Sequence, residues 1–263
     1  MTAASTQRPV LITRPLAQAQ ALQSKVRALG RTALLFPLLE IQPLADNRAL
    51  DAALAELDRY ALVAFVSPNA IDAAFARRPA WPQEVPLAVM GEGSRLALAR
   101  YGIDAATTRI FSPHDTLRTD SQTLLDALDL PALAGREVLI LRGQSGREFL
   151  GDALRSANAL VHQVAAYRRV APVLDAAGVQ ELQRLIDTGC DWIITSSEAL
   201  QVLMGMVRQA GLGAAGVVKL QQQTLIVPHV RIAETARTLG FCKVIQCASG
   251  DEGLLAALQF PDE

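Results

Sequence analysis

The amino-acid sequence predicts an α/β protein made of two copies of one parallel-sheet unit. Three observations carry that expectation. Short blocks recur in the same order in the two halves of the chain. The apolar runs are short and continuous rather than alternating. Segments with apolar residues at helical spacing lie between them. Continuous apolar runs suit strands whose sheet is covered on both faces. Strand–helix alternation brings parallel strands joined by crossover helices.

The repeat is legible block by block. Arg8-Pro-Val-Leu-Ile-Thr-Arg14 resembles Arg136-Glu-Val-Leu-Ile-Leu-Arg142. Ala61-Leu-Val-Ala-Phe-Val-Ser67 resembles Asp191-Trp-Ile-Ile-Thr-Ser196. Leu87-Ala-Val-Met-Gly91 resembles Leu225-Ile-Val-Pro-His229. Asp120-Ser-Gln-Thr-Leu-Leu-Asp-Ala-Leu128 resembles Gly250-Asp-Glu-Gly-Leu-Leu-Ala-Ala-Leu258. Four blocks in one order at a nearly constant offset are hard to obtain by chance.

The elements follow in chain order. Strands are expected at Val10–Thr13, Ala33–Phe36, Leu62–Val66, Leu87–Met90 and Arg109–Phe111. In the second copy they are expected at Val138–Leu141, Val161–Ala166, Trp192–Thr195, Leu225–Val227 and Lys243–Gln246. Helical spacing fills intervals such as Leu16–Leu29, and Gly30, Gly102 and Gly240 stand where helix-ending glycines belong. Two stretches break the rhythm at matching places, Leu38–Pro43 and Tyr167–Pro172. Both are extended, contain a proline and read as paired linkers, although a simple cut near Pro131 also fits the pattern.

Composition bounds the function. Of 263 residues, 51% are hydrophobic and 19% charged, with a formal net charge of -1. That is ample for a core and excludes long-range disorder. No basic stripe marks a nucleic-acid binder, and 5% aromatics leave few platforms for bases. Only Lys25, Lys219 and Lys243 are lysines among 25 basic residues. Arginine forks suit carboxylates and phosphates, but genome base composition produces the same bias. Cys190, Cys242 and Cys247 form no C-x-x-C pair, which argues against a disulfide framework or structural zinc. Met1–Pro9 lacks a secretion-signal pattern, and no apolar run approaches the roughly 20 residues of a membrane span. The expectation is a soluble cytoplasmic protein with no membrane partner.

In open parallel sheets, ligands bind beyond the carboxyl ends of the strands. That rule selects six turns: Thr13-Arg14-Pro15, Ser67-Pro68-Asn69, Gly91-Glu92-Gly93-Ser94, Arg142-Gly143-Gln144-Ser145, Thr195-Ser196-Ser197 and Pro228-His229. Helix N-termini carry unpaired N–H groups and partial positive charge, so such turns suit a large polyanion. Each also has a purely structural reading. Ser67, Ser94 and Ser196 or Ser197 are good helix N-caps. A lone Tyr167 closing a strand is ordinarily a packing residue, and the arginine pair after it a solvated face. His162 reads as structural. His114, His162 and His229 show no metal-ligand spacing, and His229, after a strand end, is the best functional histidine. Gly91-Glu92-Gly93 is a weak dinucleotide signal without its third glycine. No P-loop or G-x-S-x-G is present. The residues thus offer a polyanion site lined by main-chain donors, with no dyad, triad or metal cluster.

The order of these motifs resembles the uroporphyrinogen-III synthase family. The matching pieces are Val10-Leu-Ile-Thr-Arg14-Pro15, Phe65-Val-Ser-Pro-Asn-Ala70, Val89-Met-Gly-Glu-Gly-Ser94 and Val138-Leu-Ile-Leu-Arg142-Gly143 with Arg147, Glu148 and Leu154. Tyr167-Arg-Arg169, Ile193-Ile-Thr-Ser-Ser197 and Arg231-Ile-Ala complete the set. The resemblance runs from about Pro9 to Leu258. It implies two flavodoxin-like α/β domains joined by a two-stranded β-ladder linker. One domain would comprise residues 1–38 and 172–263, the other 39–171, with linkers near 39–43 and 167–172, a cleft between the domains and hinge motion.

The resemblance also implies an activity. The substrate is hydroxymethylbilane, a linear tetrapyrrole with an acetate and a propionate on each pyrrole. It loses water and closes to uroporphyrinogen III with inversion of ring D, through a spiro-pyrrolenine in the usual account. No cofactor and no metal are implied. A monomer is expected, in transient contact with the preceding pathway enzyme. The family's catalytic tyrosine maps to Tyr167. Substrate would meet Thr13, Arg14, Ser67, Pro68, Asn69, Gly91, Ser94, Arg142, Gly143, Ser196, Ser197 and His229. Relatives often carry threonine where Ser94 stands and other small or polar residues around His229. Two further readings compete. A non-catalytic two-domain protein binding a polyanion or small ligand would carry an export signal, and a flavodoxin-like electron carrier would carry a Ser/Thr-rich phosphate loop after the first strand. Neither feature is present.

Overall fold

The structure is a computed structural model that describes residues 7–113 and 121–259. In chain order its elements begin β1 (Val10–Ile12), α1 (Leu16–Ala28), β2 (Ala33–Leu35), β3 (Glu40–Gln42), α2 (Arg48–Ala55), β4 (Leu62–Phe65), α3 (Pro68–Phe75), β5 (Leu87–Val89), α4 (Glu92–Ala99) and β6 (Ile110–Phe111). They continue with α5 (Ser121–Leu125), α6 (Leu130–Leu133), β7 (Glu137–Gly143), α7 (Phe149–Ser156), β8 (Leu160–Val170), α8 (Ala176–Thr188) and β9 (Asp191–Ile193). The last are α9 (Ser197–Gln209), α10 (Gly213–Gln221), β10 (Thr224–Val227), α11 (Val230–Thr238), β11 (Lys243–Gln246) and α12 (Gly250–Gln259).

Two sheets result, in an α/β chain as the sequence predicts. One has the order β11-β10-β9-β1-β2, with every pairing parallel. The other has the order β3-β8-β7-β4-β5-β6, parallel from β8 to β6. The chain divides into two compact units, Met1–Glu40 with Val170–Glu263, and Ile41–Arg169.

The sheet orders explain the sequence repeat. In the first sheet, β1 and β2 run outward one way and β9, β10 and β11 the other. In the second, β7 and β8 lie on one side of the switch point and β4, β5 and β6 on the other, all parallel. Strands β1, β9 and β10 therefore hold the places of β7, β4 and β5. These are the strands that the repeated blocks pair. Each sheet has a switch point, β1 beside β9 and β7 beside β4, where a crevice opens beyond the strand ends.

Both faces of each sheet are covered, which is why the strands read as continuous apolar runs. Val10 and Ile12 pack on one side of β1, Leu11 on the other. Leu62 and Ala64 divide from Val63 and Phe65 in the same way on β4. Gly30, Gly102 and Gly240 end helices at φ of 76°, 72° and 88°, where a side chain is disfavoured.

Several details differ from expectation. β3, in the stretch where the family resemblance implies a β-ladder linker, pairs with the edge of β8 and so extends that sheet to six strands. β8 does not end at Ala166 but runs to Val170, so Tyr167 lies inside a strand. Ser94 caps no helix. Gly91 holds the N-cap position of α4 at φ 152°, and Ser94 falls in the first turn. His114 and Asp120 lie outside the described residues.

Candidate functional site

In the Ile41–Arg169 unit, the end of β4 leads into Ser67. Its extended backbone and hydroxyl cap α3: Ala70 N–H donates to Ser67 Oγ at 3.2 Å. Pro68 sits at the first helical position, where a missing N–H costs nothing. Asn69 follows in the same partly exposed first turn. Ser67 Oγ also lies 3.0 Å from Tyr167 Oη.

That contact depends on an irregularity in β8. Across β7 and β8, Arg142 faces Ala165, but Gly143 faces Tyr167, so one extra residue is inserted in β8. Strict alternation would place Ala166 and Tyr167 on opposite faces. Instead both join the core that contains Phe65, Leu141 and Ile71 of α3. The bulge re-aims the phenol toward the capped end of α3. Gly143 completes the arrangement. A Cβ on it would stand 3.0 Å from Tyr167 Cζ and 3.2 Å from Oη, so the ring crosses β7 close over Gly143 and a side chain there would crowd it. Tyr167 is 3% exposed, and Gln144 N–H donates to its carbonyl at 2.8 Å.

Arg142 is buried despite its charge. Its Nη1 donates to Glu148 Oε1 at 2.6 Å and to Gln163 Oε1 at 2.8 Å. The Arg142 guanidinium holds the Glu148 carboxyl below its ordinary value, against a smaller opposing effect of burial. Gly91 and the buried Ser94 stand at the end of β5. The arginines after Tyr167 are not a plain solvated face. Arg168 is half-buried and donates to Gln42 Oε1 at 2.8 Å, while Arg169 Nη2 donates to Ser145 O at 3.1 Å.

In the other unit, Thr13 ends β1 and is buried, donating from Oγ1 to Ile193 O at 2.7 Å across the switch point. Arg14 Nη1 pairs with Asp251 Oδ1 at 2.6 Å, and Lys25 Nζ holds the other oxygen at 2.8 Å. Burial works to raise the Asp251 carboxyl, but the bonds from Lys25 and Arg14 outweigh it and hold the group below its ordinary value. Nearby, burial pushes the Cys247 thiol up to about 11. Ser196 caps α9 by accepting from Ala199 N–H at 3.0 Å, and Ser197 Oγ lies 3.1 Å from Thr235 Oγ1. His229 stands at the N-cap position of α11 without capping it through its side chain. Its Nδ1 is 3.4 Å from Ser249 Oγ.

The candidate residues thus form two sets, one in each unit, at the carboxyl ends of parallel strands. Ser67, Pro68, Asn69, Gly91, Ser94, Arg142, Gly143 and Tyr167 make one. Thr13, Arg14, Ser196, Ser197 and His229 make the other. Asp251, Lys25 and Gln163 carry no site signal in the sequence, and Glu148 appears there only within a matching motif; each lies on a different element from Arg14 or Arg142, and only the fold brings them together. Among the described residues, no cluster of His, Cys, Asp and Glu has the makings of a metal site, and no helix is long and apolar enough to cross a membrane.

Comparison with known proteins completes the picture. The family model described as uroporphyrinogen-III synthase HemD matches residues 20–256. The uroporphyrinogen-III synthase of Salmonella typhimurium is 35% identical over 255 residues, 95% of this chain and 99% of that protein. The Escherichia coli K12 synthase is 33% identical over 259 residues, with coverage of 95% and 99%. Among solved structures, the uroporphyrinogen-III synthetase of Helicobacter pylori superposes with a TM-score of 0.62 at 12% identity, covering 97% of this chain and 100% of that one. A mutant synthase from the extremely thermophilic bacterium Thermus thermophilus gives 0.56 at 16% identity, with coverage of 95% and 97%. At such identities the structural likeness speaks to the fold.

Proposed function

The chain belongs to the uroporphyrinogen-III synthase family, and from that premise we propose how its strand-end residues carry the family's reaction. The enzyme is a cyclising lyase of porphyrin and haem biosynthesis. It converts hydroxymethylbilane to uroporphyrinogen III with loss of water and inversion of ring D. Kinship with named synthases over nearly the whole chain supports this reading and gives none to a non-catalytic binding protein.

The observation that carries the proposed mechanism is the Ser67–Tyr167 hydroxyl pair. Ala70 N–H occupies one lone pair of Ser67 Oγ. In the proposed arrangement Ser67 donates its own proton to Tyr167 Oη, which leaves the phenol proton for the substrate. The positive end of the α3 dipole favours donation along this chain. Tyr167 protonates the departing hydroxyl as a general acid. The C–O bond breaks, water leaves, and the pyrrole nitrogen stabilises the resulting azafulvene cation. The cation bonds to the carbon of ring D that already bears its bridge, giving the spiro-pyrrolenine. The old bridge bond breaks and re-forms at the free α carbon of ring D, which inverts the ring, and the proton lost from that carbon restores the phenol. Because the pyrrole supplies much of the driving force, positioning dominates the protein's contribution.

Substrate carboxylates are held in one unit by the helix starts at Ser67-Pro68-Asn69 and Gly91–Ser94 with Arg142 and Gly143, and in the other by Ser196-Ser197 with Thr13, Arg14 and His229. The protein works as a monomer in the cytoplasm, in transient contact with the enzyme that supplies its substrate. The test supplies hydroxymethylbilane and resolves the oxidised products by isomer. Spontaneous closure yields the I isomer. Diversion of product to the III isomer is expected, and its absence defeats the reading.

A further inference from the structure

We infer that Arg95 is a further substrate-binding residue, which grips a carboxylate of the tetrapyrrole at the ends of β5 and β6. The inference rests on the reading just given. Arg95 closes the first turn of α4, one residue after Ser94. Its Nε and Nη2 both donate to Ser112 Oγ, at 3.0 and 2.6 Å. Ser112 directly follows β6, which pairs in parallel with β5. The guanidinium therefore spans two neighbouring strand ends on the ligand side of the sheet.

The edge formed by Nε and Nη2 is the fork that matches a carboxylate with two parallel hydrogen bonds. Here both donors converge on one neutral oxygen, which satisfies geometry without balancing charge. Arg14 and Arg142, the two arginines that the sequence singles out, are already paired with Asp251 and Glu148 at 2.6 Å. Among the described residues, Arg95 has no carboxylate partner, and its own first-turn neighbour Glu92 forms no ion pair with it. The cation also stands near the positive end of the α4 dipole, where a positive charge is disfavoured. An arriving carboxylate relieves both defects. It would displace the Ser112 hydroxyl from the fork and turn a neutral contact into a charge-assisted one.

The test compares Arg95→Gln, Arg95→Lys and Ser112→Ala with the wild-type enzyme, reading KM and kcat for hydroxymethylbilane at low and high salt. Arg95→Gln is expected to raise KM about tenfold or more, as loss of a charge-assisted pair does, with kcat within about twofold and a weaker salt dependence of KM. Arg95→Lys keeps the charge and raises KM less. Ser112→Ala leaves the fork in place, so KM stays level or falls. An unchanged KM in Arg95→Gln overturns the inference. So does a Ser112→Ala variant that matches Arg95→Gln, since the bond would then serve only the loop. A wild-type enzyme that forms no III isomer defeats the parent reading instead, whatever Arg95 does.

Discussion

Ser67 and Tyr167, a hundred residues apart in the chain, meet hydroxyl to hydroxyl at 3.0 Å across the ends of three neighbouring strands. The cap of α3 and the bulge in β8 bring them together, and the proposed proton path depends on both.

Replacing Tyr167 with Phe removes the phenol and keeps the ring that packs with Phe65 and Leu141. Turnover is expected to fall about 100-fold or more, the usual contribution of a general acid, without vanishing. Thermal unfolding should stay close to wild type. Unchanged turnover in a coupled assay removes Tyr167 as the proton donor.

Ser67→Ala and Ser196→Ala separate capping from chemistry. Each deletes a helix cap and is expected to cost about 1 kcal/mol in urea unfolding. Only Ser67→Ala should also depress kcat strongly. Ser67→Thr keeps the hydroxyl and should recover most of it. Equal kcat losses in the two alanine variants would reduce Ser67 to a cap.

Gly143→Ala tests the crossing of the Tyr167 ring over β7. Its Cβ would stand 3.0 Å from Cζ and 3.2 Å from Oη, so the ring must give by a few tenths of an ångström. Overpacking of this kind costs about 1–3 kcal/mol. Displacement of the phenol from Ser67 should lower kcat more than it raises KM. A kcat equal to wild type would show that the ring yields freely.

Asp251→Asn probes the Arg14–Asp251–Lys25 network through pH. The folded carboxyl is held below its ordinary value by its two cations, with burial opposing them. Its contribution is therefore present above the unfolded value of about 4 and is lost as pH falls through the lower folded value. At pH 7 the variant should be less stable by about 1 kcal/mol. The gap in melting temperature should close as pH falls below that of an ordinary aspartate. A gap that persists in acid would assign the loss to packing instead.

Much of the architecture is legible in the chain itself. Val10–Ile12, Leu62–Phe65 and their repeats are apolar at every position because each sheet is covered on both faces. That requirement writes a strand without alternation, and the pairing of repeated blocks already contains the equivalence of β1 with β7 and β9 with β4. Strand ends were less legible. The sequence places Tyr167 beyond its strand because a following arginine pair and Pro172 look like the start of a linker. The strand continues because β7 and β3 supply backbone partners on its two sides, and no local residue preference records such partners.

The sequence by itself determined that the chain is α/β, built of repeated parallel-sheet units, and that small polar turns follow its strands. Local burial and turn chemistry leave their mark on residue type. It also named Ser67, Gly143 and Tyr167, one by one. Only the tertiary structure decided that these three touch, that Arg14 and Arg142 are bound to carboxylates and that Arg95, among the described residues, is not. Those outcomes depend on which strand lies beside which, and on one inserted residue that turns Tyr167 to the face of α3. Hydrogen bonds and ion pairs form by proximity in space, and the spacing of residues along a chain does not encode it.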